Sequence, residues 1–247
     1  MSDRFIAGFH AIQTRLRSRP GSIIEIMMDE SRQDARSRGL VAAADQAKIR
    51  VMKVAGNRLD SIAGRVQHQG VVARINSTEA GHSLDGLLDD IAGPVLLLLL
   101  DGITDPHNLG ACLRVADASG VHAVIAPKDR AVGIGVTVSK VACGAAELVP
   151  YFMVTNLSRT ISELKEREIW VIGADDGAQE SVFDTKLTGS VAWVLGAEGA
   201  GLRRLTRERC DQLVRIPMSG GVSSLNVSVA SGVCLFETVR QRTLFGA

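Results

Sequence analysis

Pro94-Val-Leu-Leu-Leu-Leu-Leu-Asp101 is a continuous apolar run of strand length that ends on a carboxylate. A strand with one face in water alternates apolar and polar side chains, whereas a strand covered on both faces does not. The run therefore predicts a central strand of a parallel sheet with helices on both sides. Working outward, further strands fit residues 123–126, 149–154, 170–174, 191–195 and 213–217. Helices fit 108–118, 138–146, 158–167, 202–210 and 225–241. Strand and helix alternate, so the class is α/β. Ligands on such sheets gather at the carboxyl ends of strands, and three of those ends carry unusual sequences.

Upstream, residues 76–93 are polar and acidic (Glu79, Asp85, Asp89, Asp90) without Lys or Arg, and read as a linker. Before them, helical patterns at 10–17, 31–48 and 57–63 alternate with strand patterns at 23–28, 51–54 and 71–75. Residues 1–75 thus form a compact α/β module, and residues 94–247 a second domain. The net charge of +1 hides two unlike halves: 13 Lys and Arg against 7 Asp and Glu in residues 1–75, and 15 against 20 afterwards. A basic module beside an acidic one points to a polyanionic partner for the first. Its only aromatic residues are Phe5 and Phe9, which favours recognition of phosphate or shape over base stacking.

Three segments of the second domain are candidates for chemistry. After the first strand, Asp101-Gly-Ile-Thr-Asp-Pro-His-Asn-Leu-Gly-Ala-Cys-Leu-Arg114 feeds a helix carrying Asn108 and Arg114. Six helical steps leave those side chains roughly 120° apart, so one helix offers both to a shared cleft, though not as nearest neighbours. A cap at Asn108 and a surface arginine at 114 fit equally well. Leu195-Gly-Ala-Glu-Gly-Ala-Gly-Leu-Arg203 sets Glu198 among small residues at a strand end, either as a turn carboxylate or as a ligand contact. Ile216-Pro-Met-Ser-Gly-Gly-Val-Ser-Ser-Leu-Asn-Val-Ser-Val-Ala230 is polar from Ser219 to Asn226 between two apolar runs. Small residues there let backbone groups approach a ligand, whereas a serine N-cap explains Ser223 or Ser224 but not the whole stretch.

Other chemistries are disfavoured. No His, Cys or Asp cluster has metal spacing, and neither a phosphate loop nor Gly-x-Ser-x-Gly occurs. The order Gly-x-x-Gly-x-Gly late in the domain is not a dinucleotide fingerprint, which argues against a nicotinamide oxidoreductase. His107 beside Pro106 reads as structural. Cys112, Cys143, Cys210 and Cys234 form no paired motif and read as small buried thiols. The longest apolar run is too short for a bilayer and the amino terminus lacks a signal-peptide core, so a soluble, cytoplasmic protein without membrane or metal partners is expected.

In order and spacing the three segments resemble the SPOUT superfamily of knotted methyltransferases. Within it, the chain is similar to the bacterial 23S rRNA guanosine 2′-O-methyltransferases. Asp105 to Arg114 resembles the first family motif, Leu195 to Arg203 the second and Ile216 to Ser228 the third. The likeness extends to His68-Gln-Gly-Val-Val-Ala-Arg74 in the first module. Val115 and residues 131–138 depart from the usual wording, outside any motif residue.

That resemblance implies an amino-terminal RNA-binding domain similar to ribosomal protein L30e, a trefoil knot in the carboxy-terminal part, and a homodimer with sites completed across its interface. It implies that Leu195, Gly196, Gly199, Ile216, Pro217, Met218, Leu225 and Asn226 hold S-adenosylmethionine. Asn108, Arg114, Glu198, Ser224 and Asn226 would surround the ribose and the transferable methyl. The implied activity is 2′-O-methylation of a guanosine in the peptidyl-transferase region of 23S rRNA. A tRNA substrate is the alternative, and a ribosome-associated RNA-binding protein without turnover the non-enzymic one.

Overall fold

A computed structural model describes residues 4–18, 20–63, 68–76 and 83–246. The chain divides into two compact units, one of residues 1–81 with 134–148, the other of residues 82–133 with 149–247.

The first unit is built on β1 (Arg4–Ala7), α1 (Phe9–Ser18), β2 (Ile23–Asp29), α2 (Ala35–Gln46), β3 (Val51–Val54), α3 (Gly56–Ala63) and β4 (Val71–Ile75). Its sheet has the order β1-β4-β2-β3, with β2 and β3 parallel and the other pairs antiparallel. Alternation along the strands fills both faces. Ile6, Ile26, Met28, Val71 and Ala73 join Ile12, Leu16 and Leu40 in one core. Ala7, Met27 and Val72 join Leu59 and Ala63 in a second, against which Val136 packs. Helix α2 starts at Ala35 and not at Ser31, because the Asp34 carboxylate caps it by accepting the Ser37 N–H at 2.9 Å.

In the second unit come α4 (Leu84–Asp89), β5 (Leu96–Asp101), α5 (Pro106–Ala118) and β6 (Ala123–Pro127). The chain then contributes α6 (Val136–Val141) and α7 (Ala145–Leu148) to the first unit. It returns with β7 (Tyr151–Val154), α8 (Leu157–Glu166), β8 (Trp170–Ala174), the short β9 (Glu180–Ser181), β10 (Val191–Gly196), α9 (Arg204–Arg209), β11 (Gln212–Arg215) and α10 (Val227–Phe245). All seven strands are parallel, in the order β7-β6-β5-β10-β8-β11-β9.

The leucine run occupies the middle of that sheet, and Leu96 to Leu100 are each at most 1% exposed. Leu97 and Leu99 share a core with Ile161 and Leu164 of α8. Leu98 pairs with Trp193 and so faces the other way, where the Trp193 indole N–H donates to Thr238 Oγ1 of α10 at 2.9 Å. Burying one leucine stabilises by about 1.5–3 kcal/mol. This strand therefore anchors both layers.

The helix expected over 138–146 is broken in two where Cys143 (φ 51°) and Gly144 (φ 96°) turn left-handed. Of the segment 76–93, residues 77–82 lie outside the described residues. Leu84–Asp89 form a helix capped by Ser83, and Leu88 is buried in the sheet's core. The strand expected over 213–217 ends at Arg215, so Ile216 and Pro217 belong to the following loop.

Candidate active site

The second and third segments line one cavity of about 780 Å³ at the carboxyl end of the sheet, within the range of small-molecule sites. Leu195, Gly196, Glu198 and Gly199 contribute from the end of β10 and the turn after it. Ile216, Pro217, Met218, Ser224 and Leu225 contribute from the loop before α10. The first segment joins through side chains: Asn226 Nδ2 donates to Asn108 Oδ1 at 2.9 Å and to Glu198 Oε2 at 3.4 Å. Asn108, Glu198 and Asn226 thus form one polar cluster drawn from all three segments. Arg114 is exposed on α5 and does not line the cavity.

Local chemistry explains these placements. Asp105 caps α5 by accepting the His107 N–H at 2.9 Å, with Pro106 in the first turn. Asn108 is therefore released from capping to meet Asn226. Asn226, and neither Ser223 nor Ser224, caps α10: its Oδ1 accepts the Ser228 N–H at 3.0 Å and the Ser228 hydroxyl at 2.7 Å. That fixes the amide orientation and aims its NH2 at Asn108 and Glu198.

Two glycines answer different demands. At Gly196 a Cβ would lie 2.1 Å from the carbonyl carbon and oxygen of Gly201 and 2.4 Å from Leu202 N, so only glycine lets the turn fold back on its own strand. Gly199 instead needs its φ of 77°. The turn closes through Gly201 N–H donating to Ala197 O at 2.8 Å.

Opposite it, residues 218–225 make no main-chain hydrogen bond to any other described residue. Backbone donors and acceptors that no ladder uses are available to a ligand. The cradle at Gly196, these groups and the cavity's size suit an elongated cofactor with several hydrogen-bonding ends. Of the residues expected to hold S-adenosylmethionine, Leu195, Gly196, Gly199, Ile216, Pro217, Met218 and Leu225 line this cavity, and Asn226 does not.

Sequence reasoning left Asp101 and Arg203 without roles. Asp101, 1% exposed, accepts the Arg203 main-chain N–H at 3.0 Å and pairs with its guanidinium. A lone carboxylate closing an otherwise apolar strand was the signal. Ala174, Asp175 and Asp176 add an unforeseen wall, with Asp175 held by Arg207 at 2.7 Å. His107 is exposed.

The cysteines divide more finely than expected. Cys112 and Cys234 are buried, Cys210 is partly so and Cys143 is exposed. Burial pushes the Cys112 thiol up to about 11 and those of Cys210 and Cys234 to about 12, which leaves these three without nucleophilic character at neutral pH. Among the described residues, no group of three or more His, Cys, Asp or Glu could hold a metal, and no helix is long and apolar enough to cross a membrane.

Comparison with known proteins matches the same geometry. Residues 95–236 match the SpoU rRNA Methylase family, and residues 5–80 match the RNA 2′-O ribose methyltransferase substrate binding family. The chain is 60% identical over 241 residues to the 23S rRNA (guanosine-2′-O-)-methyltransferase RlmB of Bordetella pertussis, covering 98% of each protein. The SpoU methyltransferase AviRb from Streptomyces viridochromogenes, solved in complex with the cofactor AdoMet, superposes with a TM-score of 0.85 at 26% identity. It covers 98% of this chain and 91% of that one. The A. aeolicus TrmH/SpoU tRNA modifying enzyme covers only 61% of this chain and 77% of its own, with a TM-score of 0.56 at 28% identity. The leucine strand, the glycine turn and the polar cluster all fall inside the matched span, and the chain belongs to the SpoU rRNA methylase family.

Proposed function

We propose that this protein transfers a methyl group from S-adenosylmethionine to the ribose 2′-oxygen of a guanosine in the peptidyl-transferase region of 23S rRNA, acting as a cytoplasmic homodimer. The observation that carries this reading is that the second and third segments line one cavity while Asn226 bonds both Glu198 and Asn108, which ties the first segment to them. The near full-length likeness to the B. pertussis enzyme favours rRNA. The match of the tRNA enzyme to only part of the chain weighs against the tRNA alternative. The intact polar cluster weighs against an RNA-binding protein without turnover.

When bound, the cofactor supplies an electrophilic methyl on a sulfonium; the chain supplies orientation and proton management. Main-chain groups of 216–225 and the Gly196 and Gly199 turn would hold it, with Leu195, Ile216, Pro217, Met218 and Leu225 as walls. A hydroxyl is a weak nucleophile until its proton begins to leave. Glu198 is the acceptor favoured by charge, and the Asn226 amide orients it. Arg114, cationic at any working pH, meets the developing oxyanion or an RNA phosphate, while Ser224 and Asn108 place the ribose.

Completion of the site across a dimer interface accounts for Arg114 standing away from its own cavity. Exposed Val229, Phe236, Leu244 and Phe245 on α10 give such an interface apolar surface to bury. The reading of residues 1–75 as an L30e-like RNA-binding domain, 76–93 as linker and 94–247 as a SPOUT domain is kept with two changes: residues 134–148 pack with the first unit, and α4 of the linker segment packs into the second unit's core. The carboxy-terminal trefoil knot rests on membership of the family.

RNA contact by the first unit is supported by a groove of about 500 Å³ between α2 and Lys53, lined by Arg32, Arg38 and Lys53 against one carboxylate, Asp45. Arg32 is held over the Phe9 ring at 5.5 Å, pairs with Asp34 and donates to Gln69 O at 2.8 Å, which leaves Arg38 and Lys53 as the groove's cations without a carboxylate partner in an ion pair among the described residues. Arg38 and Lys53 donate to the main-chain oxygens of Gln33 and Arg32. Among the described residues no aromatic one lines the groove, which suits the sugar–phosphate backbone. The test is incubation with methyl-labelled S-adenosylmethionine and a mixture of unmodified 23S rRNA and unmodified tRNA, followed by mapping of 2′-O-methyl positions. One labelled guanosine is expected; label confined to tRNA, or none, refutes the proposal.

A further inference from the structure

The cavity's glycine wall is held by a residue that does not line it. Asp101 ends β5 directly opposite Gly196 in the parallel ladder, and its side chain is fully buried. Both carboxylate oxygens are used. Oδ2 accepts the main-chain N–H of Arg203 at 3.0 Å, and Oδ1 accepts Arg203 Nε at 2.5 Å while also pairing with Nη2. The turn of residues 197–202 therefore leaves the sheet beside Asp101 and is tied back to Asp101 where it ends. Between those points its one internal closure is the Ala197–Gly201 bridge. Its four glycines and alanines, Ala197, Gly199, Ala200 and Gly201, line the cavity without bulk of their own to resist displacement.

We infer that Asp101 is the positioning residue of the methyl-donor pocket: its carboxylate fixes the 197–202 wall through Arg203 and so sets donor affinity without touching the donor. This rests on the methyl-transfer reading above. Asparagine at 101 keeps one acceptor but turns an NH2 toward the guanidinium, so donor faces donor and the charge pairing is lost. Hydrogen bonds to charged groups of this kind correspond to about 10- to 100-fold in an equilibrium constant.

The test is isothermal titration of the purified full-length protein with S-adenosylmethionine, beside KM and kcat for both substrates. Asp101→Asn is expected to weaken donor binding and raise the donor KM by about 10- to 100-fold, with the rRNA KM within about threefold of wild type. Arg203→Lys, which keeps the cation and the main-chain N–H, restores most of the affinity. Arg203→Ala leaves the fully buried Asp101 carboxylate without its counter-ion, so its thermal melt is recorded beside the titration and affinities are compared only for folded protein. Combined with Asp101→Asn it gives less than the product of the single effects, because both remove one contact. Wild-type donor affinity in folded Asp101→Asn, multiplicative single effects, or an equal loss across both KM values and kcat overturns the inference. A wild-type protein that binds no S-adenosylmethionine overturns the methyl-transfer reading as well.

Discussion

Gly196→Ala probes the cavity at its tightest point. The added methyl would lie 2.1 Å from the carbonyl carbon and oxygen of Gly201 and 2.4 Å from Leu202 N. Carbon contacts settle near 3.5–4.0 Å, so the turn must retreat by about 1.4 Å or more. The obstructing atoms are backbone, and no rotamer change removes them. Overpacking of this kind costs about 1–3 kcal/mol. Retreat also strains the Gly201–Ala197 hydrogen bond and the Arg203 N–H to Asp101. A shift of about 1 Å in a positioning element is worth about 10²-fold in rate, and we expect a loss of similar size in donor affinity. At about 2–4 °C per kcal/mol, the melting temperature should fall by roughly 2–12 °C. Calorimetric titration with S-adenosylmethionine and a thermal melt measure both effects. Gly189→Ala is the control, since a Cβ there meets nothing within 4 Å and its φ is not positive. Donor affinity in Gly196→Ala equal to that of the control would refute the claim that close approach of the turn shapes the cavity.

Arg114→Ala should abolish methyl transfer while leaving donor titration unchanged, whereas Asn226→Ala, which removes the cap of α10 and the link to Asn108 and Glu198, should weaken both; retained turnover in the first variant removes Arg114 from the chemistry. Reversing charge in the groove with Arg38→Glu and Lys53→Glu should reduce the slope of log affinity for rRNA against log salt by roughly 1–2, with donor binding unaffected. An unchanged slope places the RNA elsewhere. His122 is held below the usual histidine range by burial and the nearby Arg242 charge, and its Nδ1 accepts the Leu96 N–H at 3.0 Å. The folded state prefers neutral imidazole, so this contribution is full above about 6.5 and is lost as pH falls from there through the folded value. His122→Asn should flatten the fall in melting temperature between pH 7.5 and 5.5, and parallel curves would exclude that role.

The parallel sheet was legible because Leu96 to Leu100 cannot be a half-exposed strand, and the cavity because runs of glycine and serine at strand ends bring little apolar surface to a core. Residues 195–199 and 216–225 needed only their sequence neighbourhood to be noticed. The Asn226 cap was less legible: Ser223, Ser224 and Asn226 are all good caps, and only the backbone path selects among them. Asp101 looked like the last letter of a strand, since its partner stands 102 positions later. Strand β1 and the two-residue β9 were too short for periodicity to register. Most hidden was the membership of residues 134–148. Nothing in Val136 or Glu147 announces a packing partner more than a hundred residues upstream.

That excursion has a temporal consequence. Arg15, nearly inaccessible, donates to Glu147 at 2.5 Å and to Ser22 at 2.6 Å, so the first unit is incomplete until residue 148 exists. At about 5–20 residues per second, a nascent chain waits roughly 4–15 s between emergence of β4 and arrival of the piece that finishes its architecture. Excising residues 1–75 at the boundary read from the sequence would separate Arg15 from Glu147, a loss of about 3–5 kcal/mol for a buried pair. Gene truncation therefore injures what it was meant to isolate, and point substitutions in the groove are the cleaner dissection.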